Sequence, residues 1–157
     1  MSCVYRALPR LIPNLLLSAK KSTNVAIVSP WIQDVVLQTP IIYGNHSNDS
    51  RKMYLSQFLK YLIEKRRLRI FLIVRDNDER VRYATRSVRK YAQESLKIHT
   101  VQYLHAKAII TDSNALLTSA NLIPTSLYRN VENCSLLINE YRNTVKYVEY
   151  ECGIKLT

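Results

Sequence analysis

The apolar positions along the chain alternate between short continuous runs and amphipathic stretches, which predicts interleaved β-strands and α-helices. Strands are predicted at 24–29, 68–74, 97–101, 105–111, 115–119 and 135–138. A short helix is predicted at 14–20, and amphipathic helices are predicted at 55–63, 78–92 and 141–152, where apolar residues recur on one helix face. Residues 40–50 are the one clear loop, and Asp49 and Ser50 are cap candidates for the helix that follows. This order favours a single α/β domain over 1–157, an α-β-α sandwich with a mixed central β-sheet.

The helix predicted over 78–92 has one strongly basic face. At 3.6 residues per turn, its four basic side chains fall within about a third of the helix circumference. They are Arg82, Arg86, Arg89 and Lys90. Such a stripe is typical of a nucleic-acid-binding surface, and it is equally typical of an ordinary solvated helix face. The two interpretations remain open at this point.

The charge of the whole chain points towards a polyanionic partner. Its 23 basic side chains outnumber 12 acidic ones and give a formal net charge of +11, which suits nucleic acid or an anionic membrane surface. No apolar run approaches the roughly 20 residues that a membrane-spanning helix needs, so no membrane is expected. With only two glycines, Gly44 and Gly153, the chain has no glycine-rich phosphate loop, which excludes the P-loop and Rossmann fingerprints.

The cysteines indicate the compartment. Cys3, Cys134 and Cys152 are odd in number and lack the pair spacing of a metal site. We therefore expect reduced, buried thiols, no disulfide framework and a cytoplasmic location. Neither a metal site nor a cofactor is predicted.

The segment 104–133 carries the candidate chemistry. His105 and Lys107 stand two apart at the start of a predicted strand, so both side chains should leave from one face. Asn121 and Ser119, at the end of the next strand, can bring an amide and a hydroxyl to the same edge, and Glu132 can accept a hydrogen bond from the imidazole. An imidazole nucleophile, a cation, an amide and a carboxylate are sufficient for phosphoryl transfer without a metal.

These residues resemble the phospholipase D superfamily. His105, Lys107 and Asp112 match its His-x-Lys-x4-Asp motif, residues 118–121 resemble its Gly-Ser-x-Asn element, and 130–133 resemble the segment that supplies its glutamate. The sequence Ser-Pro-Trp after the first strand is also similar to family members. Two features depart from the family pattern: a threonine replaces the usual glycine at 118, and the gap that precedes this element is one residue shorter.

Family members build one active site from two copies of the motif, whereas this chain has one copy, like the small bacterial nucleases of the superfamily. The resemblance therefore implies a homodimer in which each protomer contributes His105, one as the nucleophile and one as the general acid. It implies that Lys107 and Asn121 bind the phosphate oxygens and that Glu132 orients the imidazole. Asp112, on the opposite strand face by parity, is expected to be structural.

The function implied is a metal-independent phosphodiesterase, an endonuclease acting on DNA or RNA through a phosphohistidine. A phospholipase or phosphatidyltransferase and a catalytically silent nucleic-acid-binding module are the alternatives. Trp31 and Tyr103 are expected to contact the substrate together with the basic stripe, Trp31 as a wall of the cleft or as core and Tyr103 by stacking on bases. His99 and His46 are expected to be packed and solvated, respectively.

Overall fold

A computed structural model describes residues 7–41, 51–92 and 94–138 of the chain, together with Arg142, Val145, Lys146, Glu149, Tyr150, Gly153 and Lys155. Most of the predicted loop 40–50 and most of the predicted last helix, 141–152, lie outside the described residues. His46, Asp49 and Ser50 lie outside them as well.

A six-stranded mixed sheet forms the centre of the fold. Its strands are β1 (Asn24–Val28), β4 (Arg69–Val74), β5 (Leu96–Thr100), β6 (Ala108–Ile110), β7 (Asn114–Thr118) and β8 (Cys134–Ile138). They lie in the order β5-β4-β1-β6-β7-β8. The first three in this order pair in parallel, and β1–β6, β6–β7 and β7–β8 pair antiparallel. The predicted α/β class with a mixed central sheet is confirmed.

Both faces of the central strands β1 and β4 are buried. Alternate residues of β1 serve different cores: Val25 and Ile27 face the helices, and Ala26 and Val28 face the opposite layer. Helices α1 (Leu8–Ser18) and α2 (Leu55–Glu64) cover the first face, and Val145 packs against the second. A strand buried on both faces has a continuous apolar sequence, which is why β1 and β4 are easily recognised from the sequence.

Helix α1 starts earlier than the predicted 14–20. Pro9 lies in its first turn, where a missing N–H costs nothing, and Pro13 lies within the helix. The buried residues Leu8, Ile12 and Leu16 share one face at spacings of four, so tertiary packing overrides the unfavourable Pro13. The Arg66 guanidinium closes the other end by donating to the Leu17 and Ala19 carbonyls.

A two-stranded antiparallel sheet, β2 (Val36–Gln38) with β3 (Lys52–Tyr54), was not predicted. Three residues are too few to establish a strand period. Helix α2 follows β3 directly, so its N-cap position is Tyr54 and not the predicted Asp49 or Ser50. The Asp34 carboxylate accepts hydrogen bonds from the Ser56 amide (2.8 Å) and hydroxyl (2.9 Å) in the first turn.

The helix predicted over 78–92 is two shorter helices. Helix α3 (Glu79–Ala84) starts at Asp78, whose carboxylate accepts from two backbone amides, and a 3-10 helix spans Arg86–Tyr91. Thr85 separates them: its buried hydroxyl donates to the Val81 carbonyl at 2.8 Å, and such back-bonding bends helices. A last short helix, α4 (Pro124–Tyr128), precedes β8. Among the described residues, no helix is long and apolar enough to cross a membrane.

The expectation of reduced cysteines is wrong for Cys134. This buried residue at the start of β8 is disulfide-bonded, and its partner lies outside the described residues. The odd number and wide spacing of the cysteines conceal a pair that only the tertiary fold brings together. The inference to a cytoplasmic location depended on free thiols and loses that support.

Candidate active site

Strand pairing brings the predicted site segments to one edge of the sheet. Ala108, the first residue of β6, lies opposite Val28, the last residue of β1. Thr118, the last residue of β7, lies opposite Cys134, the first residue of β8. The segments that follow β1 and β7 and those that precede β6 and β8 therefore share this edge, which we call the site edge. These segments carry Trp31, His105, Lys107, Ser119, Asn121 and Glu132.

His105 and Lys107 precede β6 instead of opening it, so the predicted strand start is three residues too early. The His105 side chain is exposed. The Lys107 carbonyl accepts a hydrogen bond from the Thr118 amide at 3.1 Å, which continues the β6–β7 pairing by one residue. The Lys107 ammonium donates to the His105 carbonyl at 2.8 Å. This contact holds the cation beside the residue that bears the imidazole.

Ser119 and Glu132 form a hydrogen-bonded pair at the site edge. The Ser119 hydroxyl donates to a Glu132 carboxylate oxygen and accepts from the Asn133 amide at 2.9 Å. The Asn130 side-chain amide donates to the other Glu132 oxygen at 3.2 Å. Within the described part of the chain, no hydrogen bond joins Glu132 to His105. In a single chain, Ser119 thus positions the carboxylate, and the predicted orienting contact is not made.

Thr118, which stands where the resemblance expects glycine, contributes to the turn after β7. Its hydroxyl donates to the Asn133 carbonyl at 2.9 Å and accepts from the Ala120 amide at 3.0 Å. The Ser119 amide donates to the same Asn133 carbonyl at 2.9 Å. A side chain that a glycine lacks therefore stabilises the turn that carries Ser119.

Asn121 is nearly buried at the site edge, with 8% of its surface exposed. Its Oδ1 atom is buried and has no hydrogen-bond partner among the described residues. An unpaired buried polar group costs about 1–3 kcal/mol. The Oδ1 atom can therefore accept a hydrogen bond from a donor group of a ligand at this edge.

Ser29 fixes the backbone on both sides of the site. From the sequence, this serine is identified only as part of the Ser-Pro-Trp similarity and is assigned no role. Its side chain is 1% exposed. The hydroxyl donates to the Trp31 carbonyl at 2.8 Å and accepts from the Leu122 amide at 3.0 Å. It thereby ties the turn after β1 to the residue that follows Asn121. The sequence feature that could have indicated this role is a serine placed directly after a buried strand.

Two aromatic side chains that were predicted to contact the substrate are exposed. Trp31 is 42% exposed and is therefore not a core residue. Tyr103 is 75% exposed and has a positive φ of 62°. It lies two residues before His105 along the chain.

Asp112 lies away from the site edge. It follows β6, whereas His105 precedes it. The Asp112 carboxylate accepts a hydrogen bond from the Lys20 amide at 3.0 Å, near the end of α1. This contact is structural.

The basic stripe is not continuous, because the helix that should carry it breaks at Thr85. Arg86 lies 3.7 Å from the nearly buried Asp34 carboxylate and stacks on the Tyr83 ring at 3.9 Å. Lys90 lies 3.7 Å from Glu64, and the pKa of its ammonium is raised by the Tyr91 hydroxyl and by that carboxylate. Arg82 and Arg89 are exposed and make no ion pair with a described residue.

The other described histidine is packed, as expected. His99 in β5 stacks on Phe71 with ring centroids 6.0 Å apart, and its Nε2 is buried without a described partner. Within the described residues, His105 is thus the one exposed histidine. The same residues contain no group of three side chains arranged to ligate a metal ion.

The fold is that of phospholipase D family members. Nuc from Salmonella typhimurium, described as such a member, superposes with a TM-score of 0.62 at 16% identity, covering 96% of this chain and 90% of its own. NucT from Helicobacter pylori gives 0.54 at 16% identity, with 98% and 93% covered. The phosphatidylserine synthase of Haemophilus influenzae gives 0.59 at 12% identity, with 94% of this chain but only 36% of its own covered.

The likeness is one of fold and not of sequence. No family model matches the chain, and no curated protein matches it either.

Proposed function

We propose that this chain is a metal-independent nuclease of the phospholipase D superfamily, with its active site shared between two copies of the chain. The observation that carries the proposal is the site edge: an exposed His105 lies on the same edge as Lys107, the nearly buried Asn121 side chain and a Ser119-bound Glu132. An imidazole, a cation, an amide and a carboxylate match the needs of phosphoryl transfer. The excess of basic side chains favours nucleic acid as the substrate.

The reaction would proceed in two displacements. The His105 imidazole attacks phosphorus, an N–P bond forms, and the P–O ester bond breaks as His105 of the partner subunit protonates the leaving oxygen. The partner subunit's His105, now neutral, takes a proton from water, whose oxygen attacks phosphorus and breaks the N–P bond. Lys107 and Asn121 bind the nonbridging oxygens, and Glu132 orients the imidazole once substrate and partner complete the site.

The need for a partner follows from counting imidazoles. The reaction requires two imidazoles. His99, in β5, packs against Phe71 of β4, so among the described residues only His105 is available for the reaction. A twofold axis beside the site edge would supply the second, and a twofold dimer is the commonest symmetric oligomer.

Incubation of plasmid and single-stranded DNA with the protein in excess EDTA tests the proposal. Cleavage should persist in the chelator, and His105→Ala should abolish it. The matched control is His99→Gln, which replaces a histidine away from the active-site machinery and should retain cleavage. Cleavage that needs a divalent cation, or that survives His105→Ala, would refute the proposed chemistry.

A catalytically silent nucleic-acid-binding module is the second candidate, because one observation favours it. The Glu132 carboxylate is occupied by Ser119 and Asn130, and no described hydrogen bond reaches His105 from it. Binding of the same DNA with no cleavage, under every condition in which the protein is folded and dimeric, would support this candidate. Turnover of phosphatidylcholine vesicles without cleavage of DNA would instead support a phospholipase.

A further inference from the structure

The turn that leads into His105 has an unusual backbone. The Leu104 amide donates to the Val101 carbonyl at 3.2 Å, so residues 101–104 form a β-turn. Tyr103, the third residue of this turn, has a positive φ of 62°, and Gln102 does not. That pattern is the signature of a type II turn, whose third position favours glycine or asparagine. A bulky L-residue there costs roughly 1–2 kcal/mol.

The side chain of Tyr103 contributes little to the packing of the fold. Its ring is 75% exposed and makes no hydrogen bond with a described residue. The turn is held to the core by the next residue, Leu104, which is buried. Arg67, another non-glycine residue with positive φ, differs because it ends helix α2, where a left-handed residue is ordinary: the Arg67 and Leu68 amides donate back to the last turn. Backbone strain without a structural role indicates a functional one.

The position of Tyr103 suggests that role. Tyr103 lies two positions before His105, so their Cα atoms lie within about 7 Å of each other. Trp31, on the same edge, is also exposed. An exposed ring two positions from the proposed nucleophile can reach the base of a nucleotide whose phosphate binds at His105. Base stacking of this kind is indifferent to sequence, because every base has a π-face.

We propose that Tyr103 stacks on an unpaired base beside the scissile phosphate, and that the site therefore selects single-stranded nucleic acid. The inference rests on the proposed function and adds a substrate class to it. In a duplex, each base face is already covered by its neighbours, so the ring has nothing to stack on unless a base is extruded.

Binding is measured best in the His105→Ala background, where the substrate is not consumed. Fluorescence anisotropy would compare three ligands of about 12 nucleotides: a single strand, the same strand with abasic sites, and a blunt duplex. With Tyr103 present, the single strand should bind about 5- to 150-fold more tightly than the abasic strand, the equivalent of 1–3 kcal/mol. Tyr103→Phe should preserve this ratio, and Tyr103→Asn should abolish it while leaving affinity for the abasic strand unchanged.

Thermal unfolding separates this role from a structural one. Tyr103→Asn replaces a strained residue with one that tolerates a positive φ, so its Tm should equal or exceed that of the parent. Ser22→Asn is the matched control: Ser22 has φ 63° and precedes β1 at the opposite end of the sheet. It should leave all three affinities unchanged.

The inference is overturned if Tyr103→Asn retains the preference for bases over abasic sites, if it weakens all three ligands equally, or if the duplex binds as tightly as the single strand. These results leave the proposed function standing as long as cleavage still requires His105. If cleavage survives His105→Ala, the proposed function fails whatever Tyr103 binds.

Discussion

Removal of the Ser29 hydroxyl should weaken both the fold and the site. In Ser29→Ala the Leu122 amide loses its acceptor and the Trp31 carbonyl loses its donor, in a place that is 1% exposed. A buried amide left unsatisfied costs about 1–3 kcal/mol. For a domain of this size, each kcal/mol lowers Tm by about 2–4 °C, so we expect a decrease of roughly 2–12 °C.

The same substitution should reduce cleavage more than it reduces stability. Leu122 follows Asn121 directly, and a shift of about 1 Å in a substrate-binding group can cost a hundredfold in rate. Circular dichroism would give Tm, and cleavage of single-stranded DNA well below Tm would give kcat.

Ser18→Ala is the matched control for Ser29→Ala. Ser18 is an exposed residue whose hydroxyl also donates to a backbone carbonyl, that of Leu15, at 2.6 Å. Its loss should cost no more than about 0.5 kcal/mol. Equal Tm values for the two variants, or an unchanged kcat in Ser29→Ala, would refute the coupling that we assign to Ser29.

Three further predictions concern the basic surface, the cysteines and α4. Arg86→Ala should lower the free energy of unfolding by about 1 kcal/mol through the loss of its ion pair with Asp34. Arg89→Ala should leave Tm unchanged and should lower the slope of log affinity for DNA against log salt concentration by about one unit. Equal changes in Tm for the two variants would contradict this division of roles. Thiol titration of unreduced, unfolded protein should find one free thiol per chain; three would contradict the disulfide. Burial raises the pKa of the Tyr128 hydroxyl, so the folded state favours its protonated form. The stability that this group contributes to the fold is therefore lost as pH rises through the raised pKa. Tyr128→Phe should therefore lose less stability than the parent between pH of about 8 and 11 in urea titrations; parallel losses would contradict it.

The parts of the fold that the sequence predicts well are those in which burial alone dictates the pattern. Strands β1 and β4 are buried on both faces, and each is predicted to within one residue at either end. The parts it misses depend on single contacts. The break at Thr85 comes from a side-chain hydrogen bond to Val81, and β2 and β3 are stable as a pair although each is too short to show a period.

The same distinction applies to the site. Motif spacing predicts that His105, Lys107 and Asn121 come to one edge of the sheet, because strand order and pairing determine where those segments lie. The partner of Ser119 could not be predicted, since the position of Glu132 depends on how the loop before β8 returns to the end of β7. The disulfide of Cys134 is non-local in the same way.

The central claim is that two copies of His105 act on one phosphate, and mixed dimers test it most directly. Wild-type and His105→Ala chains would be unfolded together, refolded at varied ratios, and assayed for cleavage at constant total protein. If each active site needs both imidazoles, activity falls with the square of the wild-type fraction, to about one quarter in an equal mixture. Activity that falls in direct proportion to the wild-type fraction would show that each chain works alone and would contradict the account.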